Sequence, residues 1–482
     1  MIERPPRPVW SWRAVGLGWL PFADAATPEL PLGRMLRLSL FQVSVGVAAV
    51  LLIGTLNRVM IVELNLPAWL VATMISLPLV FAPFRMLVGH RSDHHRSVLG
   101  WKRVPYIWFG TLMQFGGLAI MPFALILLSG DSHGPPILGQ ASAALAFLAT
   151  GAGVHMTQTA GLALATDLAP ADARPKVVAL LCLMLLVGTV VSAVTFGLLL
   201  FPFSEVRLVR VVQGAAVASL VLNTLALWKQ EARDPARALI AKTPSPRFGE
   251  AWTAYTRTGR AVRRLVAIGL GTMAFSMQDV LLEPYGGRVL HLPVGATTIL
   301  TAMLALGGAC GLGLAARQLN RGADPYRIAG YGATAGLCAF TAVIFAAPLQ
   351  SGGLFAASVL MIGFGAGLFA HGTLTASMNM SERDATGLAL GVWGAVQALA
   401  AGVAIAAGGL IGDGVSALAR TGRLGEVLAN PATGFTAVYL IEIVLLFSTL
   451  VALGPLVRFG VAPETDELAT LSADPIMLTP TR

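Results

Sequence analysis

Twelve stretches of about 20 or more mainly apolar residues run through this chain, a pattern that no water-soluble fold uses. At 1.5 Å rise per residue, each is long enough to carry a helix across a hydrocarbon core about 30 Å thick. They lie at 36–61, 68–88, 105–129, 138–166, 177–201 and 206–228, and then at 264–284, 294–316, 326–348, 354–379, 385–411 and 435–458. A polar break at 229–263, with Lys229, Arg233, Arg237, Lys242, Arg247, Arg257, Arg260 and Arg263, separates the first six from the last six. The chain is 56% hydrophobic and only 12% charged over 482 residues, which excludes one or two soluble domains. Its 53 glycines are read as sites of close helix packing rather than of disorder.

The expected organisation is a cytoplasmic segment 1–35, a six-helix half 36–228, a cytoplasmic linker 229–263, a second six-helix half 264–458 and a cytoplasmic tail 459–482. The first 35 residues are polar, Pro-rich and basic, without the short apolar core of a leader, so both termini are expected inside. With that topology all but six of the 33 Lys and Arg residues fall on the cytoplasmic side. The six are Arg58, Arg207, Arg210, Arg288, Arg420 and Arg423, and only Arg58 lies within a span. The net charge of +9 therefore reads as a topology signal and not as a sign of a nucleic-acid partner. Cys182, Cys310 and Cys338 lie in apolar spans at no zinc or redox spacing.

The two halves echo one another, as expected of two six-helix repeats. LNRVMIVELNLPAW carries Asn57, Arg58, Glu63 and Pro67, and MQDVLLEPYGGRVLHLPVG carries Gln278, Asp279, Glu283 and Pro293 in the same order. GAGVHMTQTAGLALATD places His155 in span four, and GAGLFAHGTLTASMNMSE places His371 in span ten.

Ionisable residues are costly in hydrocarbon, so Arg58, Glu63, Asp279, Glu283 and Glu442 are candidate functional positions. Arg58 is expected to snorkel to the interface or to form a cross-repeat pair with Asp279, at comparable depth. The acids of spans one and seven are expected to lie outward of the midplane, where a proton-coupled transporter would place them centrally. Glu442 lies further in, with no partner visible in sequence.

His155 and His371 each precede the acidic end of their span by about eleven residues and so belong near mid-membrane. Neutral imidazole can ligate the metal of a tetrapyrrole, and equally can hydrogen-bond a neighbouring helix. His90, His94 and His95, interleaved with Arg91 and Arg96, are expected at the inner surface, with His133 and His291 at the outer one. No metal other than a pigment's magnesium is expected. No nucleotide loop, nucleophile elbow or zinc-protease helix is present, so no enzyme is expected.

After span two, GHRSDHHRSVLGWKRVPY sets Gly89, Arg91, Asp93 and Arg96 ahead of Lys102 and Arg103. Gly89, Asp93 and Arg96 resemble the major-facilitator loop signature, a latch or docking element, although a solvated basic loop that fixes topology explains them too. GLGLAARQLNRGADPYR, with Gly313, Arg317, Arg321 and Asp324, reads as its repeat-related structural turn.

LPFADAATPELPLGRMLRLSLFQVSVG, GTLNRVMIVEL, RSDHHRSVLGWKRVPYIWFGTLMQFGGLAIMPFALILLSG and MQDVLLEPYGG together resemble the bacteriochlorophyll delivery family of PucC and LhaA, over roughly residues 20–460. That resemblance implies an all-α membrane protein, a major-facilitator-like 12-helix bundle, in the intracytoplasmic inner membrane of a phototroph. It implies bacteriochlorophyll, with carotenoid as a second candidate, bound and delivered to light-harvesting alpha and beta polypeptides. Pigment synthase and membrane insertion machinery are further implied partners. The N-terminal RPPRPVWSWRAVGLGWLPF resembles the LhaA-like branch, which favours the core antenna LH1 over LH2 as client. Two other classes stay open: a proton-linked transporter of a porphyrin-type or other amphipathic solute, and a pigment-free antenna scaffold.

Overall fold

Because hydrocarbon offers no hydrogen-bond partners, a spanning segment has to close its backbone bonds within itself, and among the described residues each predicted span is helical. The computed structural model describes residues 30–80, 101–129, 135–170, 174–231, 260–378 and 386–457, and among these no strand occurs. The helices are α1 Leu32–Glu63, α2 Ala68–Val80, α3 Val104–Leu128, α4 Pro136–Leu168, α5 Arg174–Leu199 and α6 Glu205–Leu227. They continue with α7 Ala261–Arg288, α8 Val294–Asn320, α9 Pro325–Ala346, α10 Gly352–Met378, α11 Thr386–Arg420 and α12 Thr433–Leu453. Eleven of them are long and apolar enough to cross a membrane, and the described part of α2 is the shorter twelfth. α11 runs nine residues past its expected end at 411, because GDGVSALAR continues the helix and carries Asp413, Ser416 and Arg420 outward.

The packing repeats with a period of six helices. α1 packs on α5 and α6 as α7 packs on α11 and α12, α3 packs on α4 and α6 as α9 packs on α10 and α12, and α2 packs on α4 as α8 packs on α10. The halves meet through α2 against α11 and α5 against α8, which are again repeat-related pairs. This is the major-facilitator-like arrangement of two six-helix repeats.

Large apolar side chains face outward, Phe123, Leu198 and Phe447 among them, while Asn57, Gln114, Gln278, Glu283 and Glu442 are buried. The helices associate by close approach of small residues instead of by a hydrophobic drive. A Cβ added to Gly307 of α8 would stand 1.9 Å from the Leu360 carbonyl oxygen, and one on Gly363 of α10 would stand 1.9 Å from that of Leu304. These reciprocal contacts hold α8 and α10 backbone to backbone.

Two helices are irregular at repeat-related places. α1 contains π turns at Val50–Thr55 and Val59–Glu63, and α7 is interrupted by a 3-10 turn at Met277–Val280. Non-α backbone at membrane depth is tolerated where protein surrounds it, and it recurs at functional positions.

The substitution Gly307→Ala has to push α8 from α10, since the obstacle is backbone. It should destabilise the protein by about 1–3 kcal/mol, read as a lowered thermal unfolding midpoint in mild detergent. An unchanged midpoint would show that the contact relaxes freely.

Candidate functional site

The polar residues of the two echoing motifs converge where α1 crosses α7. Asn57 is fully buried and donates through Nδ2 to the Val280 carbonyl at 3.0 Å, stapling α1 to the interrupted turn of α7. The turn exposes backbone carbonyls that a regular helix would use internally. Thr55 and Thr298 approach to 3.4 Å across the halves, and the Glu283 carboxylate accepts from the Thr301 hydroxyl. Gly54 makes room for Glu283, because a Cβ there would lie 2.5 Å from its Oε1.

Arg58 neither snorkels nor meets Asp279, contrary to both expectations. It is 4% exposed, is paired with Glu63 and donates through Nη2 to the Leu292 carbonyl at 3.2 Å. The π turn explains the exchange of partners: a repeat of i to i+5 brings residues 58 and 63 onto one face. Asp279 instead accepts from Gln278 Nε2 at 2.6 Å. Arg58 still bridges the halves, through backbone.

Glu442, expected further in than the other acids, is the tenth of 21 residues in α12 and is 0% exposed, and no hydrogen bond of ordinary geometry reaches its carboxyl oxygens. It lies against the Gln278 turn, within electrostatic reach of Asp279. A mid-span acid with a second carboxyl in reach, which the sequence spacing did not reveal, is therefore present. An aromatic cluster surrounds this level: Tyr285 lies tilted against Phe355, meets Tyr439 edge-on and donates to the Val343 carbonyl at 3.0 Å.

His155 and His371 are each the twentieth residue of their helices and are half-buried. They belong to different halves: α4 packs on α1, α2, α3 and α5, and α10 packs on α7, α8, α9 and α11. A cavity of about 310 Å³ is lined by Ile61, Leu281, Arg288, Asp413, Arg420 and Phe435, where the second ends of α1, α7 and α11 meet the start of α12. Neither histidine lines that cavity.

Of the loop motif, Gly89, Arg91, Asp93 and Arg96 lie outside the described residues, as do His90, His94, His95 and His133. Lys102 and Arg103 mark the start of α3 and form a latch that sequence spacing did not reveal. Glu231 accepts the backbone N–H groups of Lys102 at 2.7 Å, Arg103 at 3.0 Å and Val104 at 2.9 Å. An anion at this end of a helix meets its unsatisfied donors and its dipole. Arg103 Nε donates to Asp167 of α4 at 3.0 Å, with Lys102 at 3.6 Å from the same carboxylate. Beside them Arg34 donates to the Gln230 side chain at 3.1 Å, tying α1 to the end of α6. In the repeat-related turn Asp324 caps α9 through Tyr326 and Arg327, the structural role its spacing implied.

A family model described as PUCC protein matches residues 55–461. A Rhodobacter capsulatus protein described as an uncharacterized protein in the puhA-bchM intergenic region is 56% identical over 448 residues, covering 93% of this chain and 94% of its own. Protein PucC of Rhodovulum sulfidophilum is 58% identical over 406 residues, covering 83% of this chain and 89% of its own. In fold the chain is similar to a bacterial homologue of the human lysosomal transporter Spinster, with TM-score 0.65 at 14% identity, covering 87% of this chain and 95% of that one. At that identity the likeness concerns fold alone.

Replacing Arg58 by Gln removes its ion pair with Glu63 and the bridge to Leu292. The Glu63 side chain is 38% exposed and stays solvated, so the loss should cost about 1 kcal/mol, seen as a lower unfolding midpoint that Arg58→Gln/Glu63→Gln recovers in part. Equal midpoints for the wild type and the single variant would show that the pair contributes no net stability.

Proposed function

The chain belongs to the PucC family of multi-pass inner-membrane proteins involved in light-harvesting complex formation in purple bacteria, and we propose that within this role it binds bacteriochlorophyll and hands it to antenna polypeptides. Family and fold are not those of an enzyme. The observation that carries the pigment reading is the pair of half-buried histidines at corresponding places in α4 and α10.

Half-burial would suit an imidazole that ligates a metal: a fully enclosed ring leaves no room for a large ligand, and a fully exposed one gives no shelter from water. His155 and His371 would hold the pigment, which when bound supplies a coordinatable magnesium centre. The chain's own contribution is to fix imidazole depth within a rigid half and to present apolar helix faces along which a hydrophobic tail lies. Lateral release toward an antenna helix then needs no aqueous passage. The light-harvesting alpha and beta polypeptides are the proposed recipients, with the core antenna LH1 as client on the strength of the N-terminal segment. The basic stretches around Arg96 and 229–263 would attract pigment synthase and the insertion machinery by their charge.

One observation favours a second reading. Glu442 near mid-span, with Asp279 within electrostatic reach, is the feature a proton-linked transporter of an amphipathic solute would need.

The decisive preparation is the protein purified in mild detergent from a phototroph lacking antenna polypeptides but making pigment. Near-stoichiometric bacteriochlorophyll is expected, with a fall of about tenfold, or 1.4 kcal/mol of affinity, in His155→Phe/His371→Phe. A colourless folded protein overturns pigment binding, and proton-linked solute movement in vesicles would then support the transporter. Deleting the gene should remove core-antenna absorption and spare the peripheral antenna, whereas the opposite loss would assign LH2 as client.

A further inference from the structure

The interior at the α1–α7–α12 contact holds more acid than cation. Asp279, Glu283 and Glu442 lie along it, and the guanidinium within reach is Arg58, already paired with Glu63. Arg288 turns away, donating to the Ile61 carbonyl beside Asp413 and Arg420. Three further carboxylates cannot all be ionised against one engaged guanidinium in a low-dielectric interior.

Glu442 is the most extreme of the three. The one donor in reach of its oxygens is the Gln278 backbone N–H, short of ordinary hydrogen-bond geometry, and atoms with donors unused or acceptors empty lie on the same elements: the Tyr439 hydroxyl, Gln278 Oε1 and Asn57 Oδ1. A buried carboxylate with so little to accept from costs far more than a neutral acid that leaves a hydrogen bond unmade. The elements packed on α12 bring no cation to this level. α7 has no titratable group between Leu265 and Ser276, α11 has none between Thr386 and Gly412, and α9 carries Tyr326 and Arg327 in its first turn and, further along, Tyr331 and Cys338, both exposed. What faces Glu442 is Asp279 on the 3-10 turn, with Tyr439 on its own helix and Tyr285 beyond.

We propose that the Glu442 carboxyl, set against Asp279 and the Gln278 turn, is a proton-binding site at the centre of the membrane domain. It holds a proton while α7 and α12 are packed as they are here and releases it when that contact opens. In that step the carboxylic O–H bond breaks, the electron pair stays on Glu442 as carboxylate, and the proton passes to water admitted between the helices. The interrupted segment of α7 supplies the coupling: a carboxylate on Glu442 would face the Asp279 carboxyl across the turn, and like charges there push the turn from α12. The site stands whichever cargo the protein carries, so it and the pigment reading fail separately.

Infrared spectra of the full-length protein in mild detergent test it. At neutral pH the wild type should show a carboxylic-acid C=O stretch that shifts in D2O, Glu442→Gln should lack that band, and Glu63→Gln should retain it. Gln has the shape of the neutral acid, so Glu442→Gln should keep its folded yield. The wild-type folded state holds a proton that the unfolded chain has released, so its unfolding midpoint should fall as pH rises, more steeply than that of Glu442→Gln. A band undiminished in Glu442→Gln, or no band in the wild type at neutral pH, overturns the proposal. If Glu442→Gln does not fold, Glu442→Asp decides: the proposal expects the band at a moved frequency, and an unmoved band overturns it.

Discussion

Hydrocarbon supplies neither hydrogen bonds nor a hydrophobic drive between helices, and the architecture of this protein follows from that pair of facts. Backbone groups are closed within helices, and where α1 and α7 leave the α-helical pattern, side chains such as Asn57 take up what the backbone releases. Helices that gain nothing by hiding apolar surface adhere by fitting closely, which is why Gly307 and Gly363 meet carbonyl oxygens of the facing helix. The same constraint turns the chain inside out relative to a soluble protein, with Phe123 and Phe447 outside and Glu442 and Gln278 within.

The repeat gives two equivalent scaffolds carrying different chemistry. The crossing of α1 with α7 pairs Asn57 and Arg58 with Gln278 and Asp279, so positions related by the repeat have opposite charge character. Symmetry alone would suggest that Arg58 and Asp279 neutralise each other. The irregular turns instead send each to a local partner, Glu63 and Gln278, and leave Arg58 spanning the halves through the Leu292 carbonyl. The first half adds a latch of its own, Glu231 on the start of α3 and Arg103 on Asp167, fastening three helix ends at one face.

Candidate pigment ligands and buried acids occupy different parts of the fold. His155 and His371 sit on α4 and α10, whereas Asp279, Glu283 and Glu442 lie along α7 and α12. A chain of a family associated with antenna formation thus has a transporter-like scaffold in which the proposed ligands and the buried acids stand on different helices. α7 and α10 pack together and give the two regions a physical connection.

Hydropathy, the positive-inside pattern and the echo of two motifs determined twelve spans and their repeat, because lipid imposes a length and polarity rule that is local in sequence. The family was legible only by resemblance of longer stretches such as MQDVLLEPYGG. Residue type alone singled out Arg58, Asp279, Glu283 and both histidines, since their cost in hydrocarbon marks them wherever they stand. Partners were another matter. That Arg58 meets Glu63 depends on a π turn, that Glu231 caps α3 depends on two helix ends about 130 residues apart meeting at one face, and that Glu442 faces Asp279 depends on the packing of α12 against an interrupted α7. Each is a contact made across the bundle or through a departure from regular helix, and a sequence read by spacing along one helix carries no record of it.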